Sequence, residues 1–183
     1  MYKSLFPDGA SYDFDWDLNY IAELWKQRGW IDDNEVREIK THHGAFSVTP
    51  RKGLRVVSLN TDFWYQYNFY AYINSANPDF SGMLRFLTDE LLDAEKCGDR
   101  VWIVGHVLTG WNGKEALASP TNLFYQIVSR FAPHTLGAIY FGHTHEDQFE
   151  VFYFNDNGND KSTDQSTEKA VSIAYIAPSI TPY

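Results

Sequence analysis

The apolar positions of the chain switch repeatedly between helical spacing and short unbroken runs. In WDLNYIAELWKQRGW, residues 16–30, Leu18, Ile21, Leu24 and Trp25 fall on one helical face. LRVVSLNT, Leu54 to Thr61, follows Gly53 and reads as a buried strand. The aromatic stretch FWYQYNFYAYI has no clean period and is expected to close an edge of the core, because large rings bury readily. SGMLRFLTDELLDAEKCGDR predicts a helix with Ser81 as N-cap, Leu84, Leu87 and Leu91 on one stripe, and Gly98 where a terminating glycine belongs. It leads into VWIV, Val101 to Val104, an apolar run of the kind found in strands buried on both faces. The same logic recurs in SPTNLFYQIVSRF, with Ser119 at N-cap, Pro120 at N1, and Leu123, Phe124, Ile127, Val128 and Phe131 turned inward. That helix delivers the chain into GAIYF, Gly137 to Phe141. Helix then strand, twice over, predicts a layered α/β sheet. Beyond it only strands follow: QFEVFYF and AVSIAYIAP, expected to pair antiparallel across the polar loop NDNGNDKSTDQSTEK. No internal repeat or linker interrupts the 183 residues.

Charge narrows the choice of partners. With 24 Asp and Glu against 15 Lys and Arg, the net charge of -9 leaves no basic stripe to replace the counterions of a phosphate backbone, so nucleic acid is not an expected partner. No run approaches the roughly 20 apolar residues that span a bilayer, and Met1 to Ala10 lacks the pattern of a signal peptide. The single Cys97 cannot form an internal disulfide and is expected at a helix end.

The candidate chemistry lies where two strands stop. VWIVGH and IYFGHTH share one local design, in which an apolar strand ends in glycine and then histidine, so His106 and His143 emerge at the sheet edge where open α/β sheets bind ligands. His143 and His145, separated by Thr144, can point two imidazoles along a bent backbone, and neutral imidazole is the commonest metal ligand. Two strand-Gly-His corners with a further histidine therefore predict a metal site at His106, His143 and His145, with Glu146 and Asp147 as outer acceptors for imidazole N–H groups. His42 and His43 of THHG, read on a strand, face opposite sides and are expected to be structural. His134, following Pro133 in a helix-to-strand turn, is expected to be structural as well.

With these residues in place the chain resembles the acid sphingomyelinase branch of the calcineurin-like metallophosphoesterases, above all its fungal members. The resemblance rests on FPDG, GAFSVTPRKGLRVVSLNTDFWYQYNFYAYIN, ELLDAEKCGDRVWIVGHVLTGWNG, GHTHEDQFEVFY and IAPSITPY. It implies an α/β fold that is part of a four-layered α/β/β/α sandwich, and an enzyme that hydrolyses sphingomyelin to ceramide and phosphocholine with two zinc ions. Carried over by motif, His106 and His143 would ligate one zinc and His145 the other. The membrane-bound substrate makes contact with a membrane surface an expectation, to which the tryptophans and other aromatics could contribute. A secreted, lysosomal or vacuolar location follows from the same likeness.

The family pattern also has an Asp-x-His, a Gly-Asp segment whose aspartate bridges the metals, and a Gly-Asn-His that supplies the acid-base histidine; these upstream motifs are absent here, the Gly98-Asp99 pair lying instead at the end of a predicted helix. VLTG stands where relatives often carry a Pro-Pro-Gly segment after Gly-His. Residues 1–183 are accordingly expected to be a partial metallophosphoesterase catalytic domain, lacking the N-terminal metal-binding motifs and a C-terminal extension, and inactive alone. Two alternatives stand beside a sphingomyelin phosphodiesterase: a catalytically inactive fold acting as a binding module, and a phosphomonoesterase or nucleotide-cleaving enzyme on the same core.

Overall fold

A computed structural model describes residues 15–74, 76–110, 115–154 and 166–180. FPDG, most of the polar loop at 155–169 and the final residues of ITPY lie outside them. The described chain is mixed α/β, with four helices and one six-stranded sheet.

Helix α1 spans Asp15–Gln27 and packs on α2, Asp33–Thr41, in a small satellite core of Ala22, Val36 and Ile39 with Leu18, Trp25, Ile31 and Phe46 around it. Helix α2 is not among the elements the apolar pattern predicts, although its start carries a reciprocal cap: the Asp32 carboxylate accepts from Asn34 N at 2.6 Å, and Glu35 accepts from Asp32 N at 2.7 Å. THHG consequently ends a helix instead of lying in a strand. His42 packs tilted against Phe86 at 4.6 Å between ring centres, and His43 meets Phe63 edge-on at 5.1 Å.

Strand β1, Phe46–Arg51, forms a hairpin with β2, Leu54–Ser58. Helix α3, Met83–Cys97, then returns the chain to β3, Arg100–Val104, and α4, Ala118–Phe131, returns it to β4, Leu136–Phe141. Strand β5, Gln148–Tyr153, pairs antiparallel with β6, Ala170–Ile176. The spatial order is β1-β2-β3-β4-β6-β5, in which β2, β3, β4 and β6 are mutually parallel and an antiparallel strand closes each side.

The predicted stripe of α3 is buried, and that of α4 is buried at Phe124, Val128 and Phe131 with Leu123 and Ile127 half-buried, but both starts are shifted. Gly82, not Ser81, caps α3, and the first-turn N–H groups of Leu84 and Arg85 are taken up by the Asp79 carboxylate at 2.9 Å each. Helix α4 begins at Ala118 with Leu117 as cap, so Ser119 and Pro120 sit inside its first turn. Gly98 ends α3 at φ 74°, as the pattern predicts. Cys97 is the last residue of α3 and is exposed.

Helices α3 and α4 touch each other and cover one face of the sheet, where Val57, Val101, Ile103, Leu136, Ile139, Phe141, Ala174 and Ile176 meet Leu87, Leu91, Phe124 and Val128. The run VWIV is therefore buried on one side only. Trp102 and Val104 lie on the opposite face, in a row that crosses the sheet: Trp102 meets Tyr140 edge-on at 5.7 Å and Tyr140 stacks on Tyr175 at 5.8 Å, while Phe149 is paired with Tyr175. All are exposed. Of the expected sandwich, the described residues thus make one sheet and the helical layer on one face of it.

Candidate active site

The two Gly-His corners meet because β3 and β4 are neighbouring parallel strands that end at the same level, with Val104 opposite Tyr140. Backbone hydrogen bonds continue past the strands: Gly105 N donates to Tyr140 O and Gly142 N to His106 O, both at 3.0 Å. Each corner is thereby tied to the other before any side chain is considered.

The first corner is held from behind by Thr61, the last residue of the LNT string. Its buried hydroxyl accepts from His106 N at 2.9 Å and Val107 N at 2.7 Å, satisfying two donors in a turn that has no ladder partner. Trp64, also buried, donates from Nε1 to Val107 O at 3.0 Å. Gly105 is required by this packing. A Cβ there would lie 2.5 Å from Thr61 Cγ2 and 3.0 Å from the Phe141 ring. The second corner is built differently, since Gly142 has room for a Cβ and the unusual backbone falls on the histidines. His143 has φ 79° and His145 φ 64°, a region where non-glycine residues are uncommon and which costs of order 1–3 kcal/mol per residue. Such strain persists only where surrounding contacts fix it, and Thr144 N bonding to Gly142 O at 3.0 Å and Ser179 N to His145 O at 3.2 Å are two of them.

The result is a pair of imidazoles. His143 Nδ1 lies 3.3 Å from His106 Nε2, with ring centres 5.1 Å apart and planes near perpendicular. Two nitrogens bound to one tetrahedral zinc at about 2.0–2.1 Å each are separated by roughly the same 3.3 Å, so the donor types and their spacing fit a divalent ion. His145 is exposed at the end of the same turn.

A carboxylate that no sequence motif announces lies against this pair. Glu115 Oε2 lies 2.9 Å from His143 Nε2, and Tyr65 packs edge-on against the same ring at 4.7 Å. Glu146, expected in that role, instead accepts from Gln148 Nε2. Glu115 lies nine residues beyond His106 in a segment without periodicity, and only its pairing with the loop after β2 carries it to the histidine. Among the described residues no group of three or more His, Cys, Asp or Glu converges on one point. The geometry explains this, because the two nitrogens of His143 face opposite ways, one toward His106 and one toward Glu115.

Beside Tyr65 the aromatic stretch folds into two short 3-10 turns, Thr61–Trp64 and Phe69–Tyr72. It does two jobs where the pattern predicted one. Trp64 and Ala71 are buried, whereas Tyr67 and Phe69 are 66% and 83% exposed, and Tyr70, Tyr72 and Ile73 also face outward.

No family model matches this sequence. It is 37% identical over 168 residues to the sphingomyelin phosphodiesterase of Bos taurus and 36% identical over 168 residues to that of Homo sapiens, in each case over 92% of this chain and 24% of the relative. Sphingomyelin phosphodiesterase B of Dictyostelium discoideum is 32% identical over 177 residues, covering 97% of this chain and 26% of its own length. Among solved structures, a dimetal phosphatase from Danio rerio aligns with a TM-score of 0.43 and 11% identity, over 72% of this chain and 48% of that one. The chain spans about a quarter of the length of the curated relatives it matches. On these likenesses it is a homologue of the sphingomyelin phosphodiesterases, matched over a segment of their length.

Proposed function

We propose that this chain forms part of a metal-dependent phosphodiesterase that cleaves sphingomyelin to ceramide and phosphocholine, with His106, His143 and His145 as zinc ligands. The observation that carries the reading is the His106–His143 pair, two imidazole nitrogens 3.3 Å apart at the carboxyl ends of adjacent parallel strands. When bound, divalent zinc would supply charge neutralisation for the phosphodiester and a water acidified to a pKa near 7. The chain's own contribution is placement. Thr61 and Trp64 fix the His106 turn, Glu115 and Tyr65 fix the His143 ring, and the left-handed backbone at His143 and His145 turns two imidazoles out of one short loop.

Two further features support a lipid substrate and a longer protein. The exposed Tyr67, Phe69, Tyr70, Tyr72 and Ile73 follow directly on Tyr65, the residue packed on His143, and offer apolar and amphipathic rings beside the site, as suits contact with a membrane surface. On the sheet, the exposed row Trp102, Tyr140, Tyr175 and Phe149 is an apolar face of the kind a second layer covers in a sandwich. No helix among the described residues is long and apolar enough to cross a membrane. A secreted, lysosomal or vacuolar setting is part of the same proposal.

The test is a segment exchange. Residues 1–183 replace the matching segment of the Bos taurus sphingomyelin phosphodiesterase, and phosphocholine release from sphingomyelin is followed with and without a chelator. Chelator-sensitive release, lost on His106→Ala or His143→Ala, is the expected result. A folded hybrid whose release is indifferent to both substitutions would overturn the assignment.

A further inference from the structure

We infer that Glu115 is the positioning carboxylate of the site: it holds His143 with its proton on Nε2, so that Nδ1 is the atom His143 offers, together with His106 Nε2, to a divalent metal. The inference rests on the proposal that this pair takes a metal, and adds to it a residue and a choice of tautomer.

Three observations carry it. The first is the contact, with Glu115 Oε2 2.9 Å from His143 Nε2 and both side chains largely withdrawn from solvent, at 22% and 17% exposure. A carboxylate can only accept, so in the neutral imidazole the Nε2 facing it carries the proton and Nδ1 keeps its lone pair. The second is where that lone pair points: Nδ1 faces His106 Nε2 at 3.3 Å, across the gap where an ion bound by both would sit. The third is that Glu115 is anchored by its own backbone. Gln66 N donates to Glu115 O at 2.9 Å, Leu117 N donates to Trp64 O at 2.8 Å, and Tyr65 bridges Ala116 in antiparallel pairing. This short ladder connects Glu115 to the buried Trp64, whose indole in turn braces the His106 corner through Val107 O. One rigid unit therefore positions the ligand pair from both sides. Metal-ligating histidines characteristically donate their second N–H to such a carboxylate, which fixes ring and tautomer and strengthens the ligand nitrogen.

The arrangement also assigns the proton between the rings. With His143 Nδ1 bare, the 3.3 Å contact is a hydrogen bond when His106 carries its hydrogen on Nε2. An ion held by both nitrogens would need the His106 Nε2 lone pair as well, so the hydrogen of neutral His106 would be on Nδ1, with His143 unchanged.

The experiment is nitrogen-detected NMR of the chain with 15N-labelled histidine at mildly alkaline pH, where imidazoles are neutral, combined with a calorimetric zinc titration. The expected spectrum has His143 as the Nε2–H tautomer with and without zinc, and His106 converting from Nε2–H to Nδ1–H on zinc addition. Glu115→Ala should mix the His143 tautomers and weaken zinc binding by about 10 to 100-fold, the usual effect of removing such a partner. Glu115→Gln, whose amide oxygen still accepts, should restore the tautomer and most of the affinity. Zinc content of the bovine segment-exchange protein after dialysis, compared for the same two substitutions, gives the ranking independently if the shorter chain does not stay monodisperse. A wild-type His143 protonated on Nδ1, or Glu115→Ala with unchanged tautomer and affinity, would overturn the inference. An Nε2–H His143 in a protein that takes up no zinc would instead overturn the metal reading and leave the Glu115 contact standing.

Discussion

The two Gly-His corners are nearly the same in sequence and differ in what they demand of the fold. At VWIVGH the glycine is indispensable and the histidine backbone ordinary, because Thr61 and Phe141 fill the space where a Cβ would go and the threonine hydroxyl takes up the turn's two N–H groups. At IYFGHTH the glycine has room to spare, and the left-handed conformation is imposed on His143 and His145 themselves. A shared motif can thus be enforced by packing in one place and by backbone strain in another. The first corner is a support that gives its histidine a fixed base, and the second concentrates the strain at the histidines proposed as metal ligands, in keeping with the tendency of strained backbone to cluster at functional sites.

The largest effect should come from the glycines. Gly105→Ala forces a methyl group to within 2.5 Å of Thr61 Cγ2 and should cost about 3 kcal/mol or more, whereas Gly142→Ala, whose nearest neighbours are His106 ring atoms at 3.6 and 4.0 Å, should change stability by under about 0.5 kcal/mol. Chemical denaturation of both variants checks this, and equal losses would erase the distinction between the corners. Next, Thr61→Val keeps the shape and removes the acceptor. It should cost about 1–3 kcal/mol by stranding His106 N and Val107 N, while Thr61→Ser, which keeps the hydroxyl, should lose only the smaller packing term.

How much of this the sequence discloses follows from the range of each interaction. Helix stripes and strand runs repeat within a few residues, so α3, α4, β3, β4 and both Gly-His corners are legible directly. Helix α2 was legible too, through the Asp32–Glu35 capping pair, but its apolar stripe is only Val36 and Ile39 and is short enough to pass unnoticed. Glu115 was not. Its role depends on a ladder to Trp64–Gln66, some fifty residues earlier, and no local pattern signals a contact of that separation. The one-sided burial of VWIV was hidden for a related reason, since an apolar run records what a strand tolerates and not which layers reach it.

A smaller effect tests the strain at the second corner. His143→Gly should be more stable than His143→Ala by about 1 kcal/mol, because glycine occupies φ 79° without the Cβ penalty, although both remove the imidazole. Thermal melts of the two side by side decide it, and the reverse order would mean that the turn relaxes on losing the ring. Smallest of all is the expected effect of His42→Ala on the site. That ring packs against Phe86 at the end of α2, so its removal should cost a modest amount of stability, about 0.5–1.5 kcal/mol, and leave zinc affinity within about twofold. A calorimetric titration that found larger weakening would make the turn after α2 part of the site.

The claim on which everything else depends is that the two corners act on one ion. The most direct test is a double-mutant cycle on zinc affinity, comparing the wild-type protein, His106→Ala, His143→Ala and the double variant. Two nitrogens that hold one ion lose it together, so either single substitution should cost nearly as much as both, and the coupling should approach the size of the single effects. Costs that simply add, or one substitution without effect, would contradict the account and make the 3.3 Å pair a structural contact between neighbouring turns.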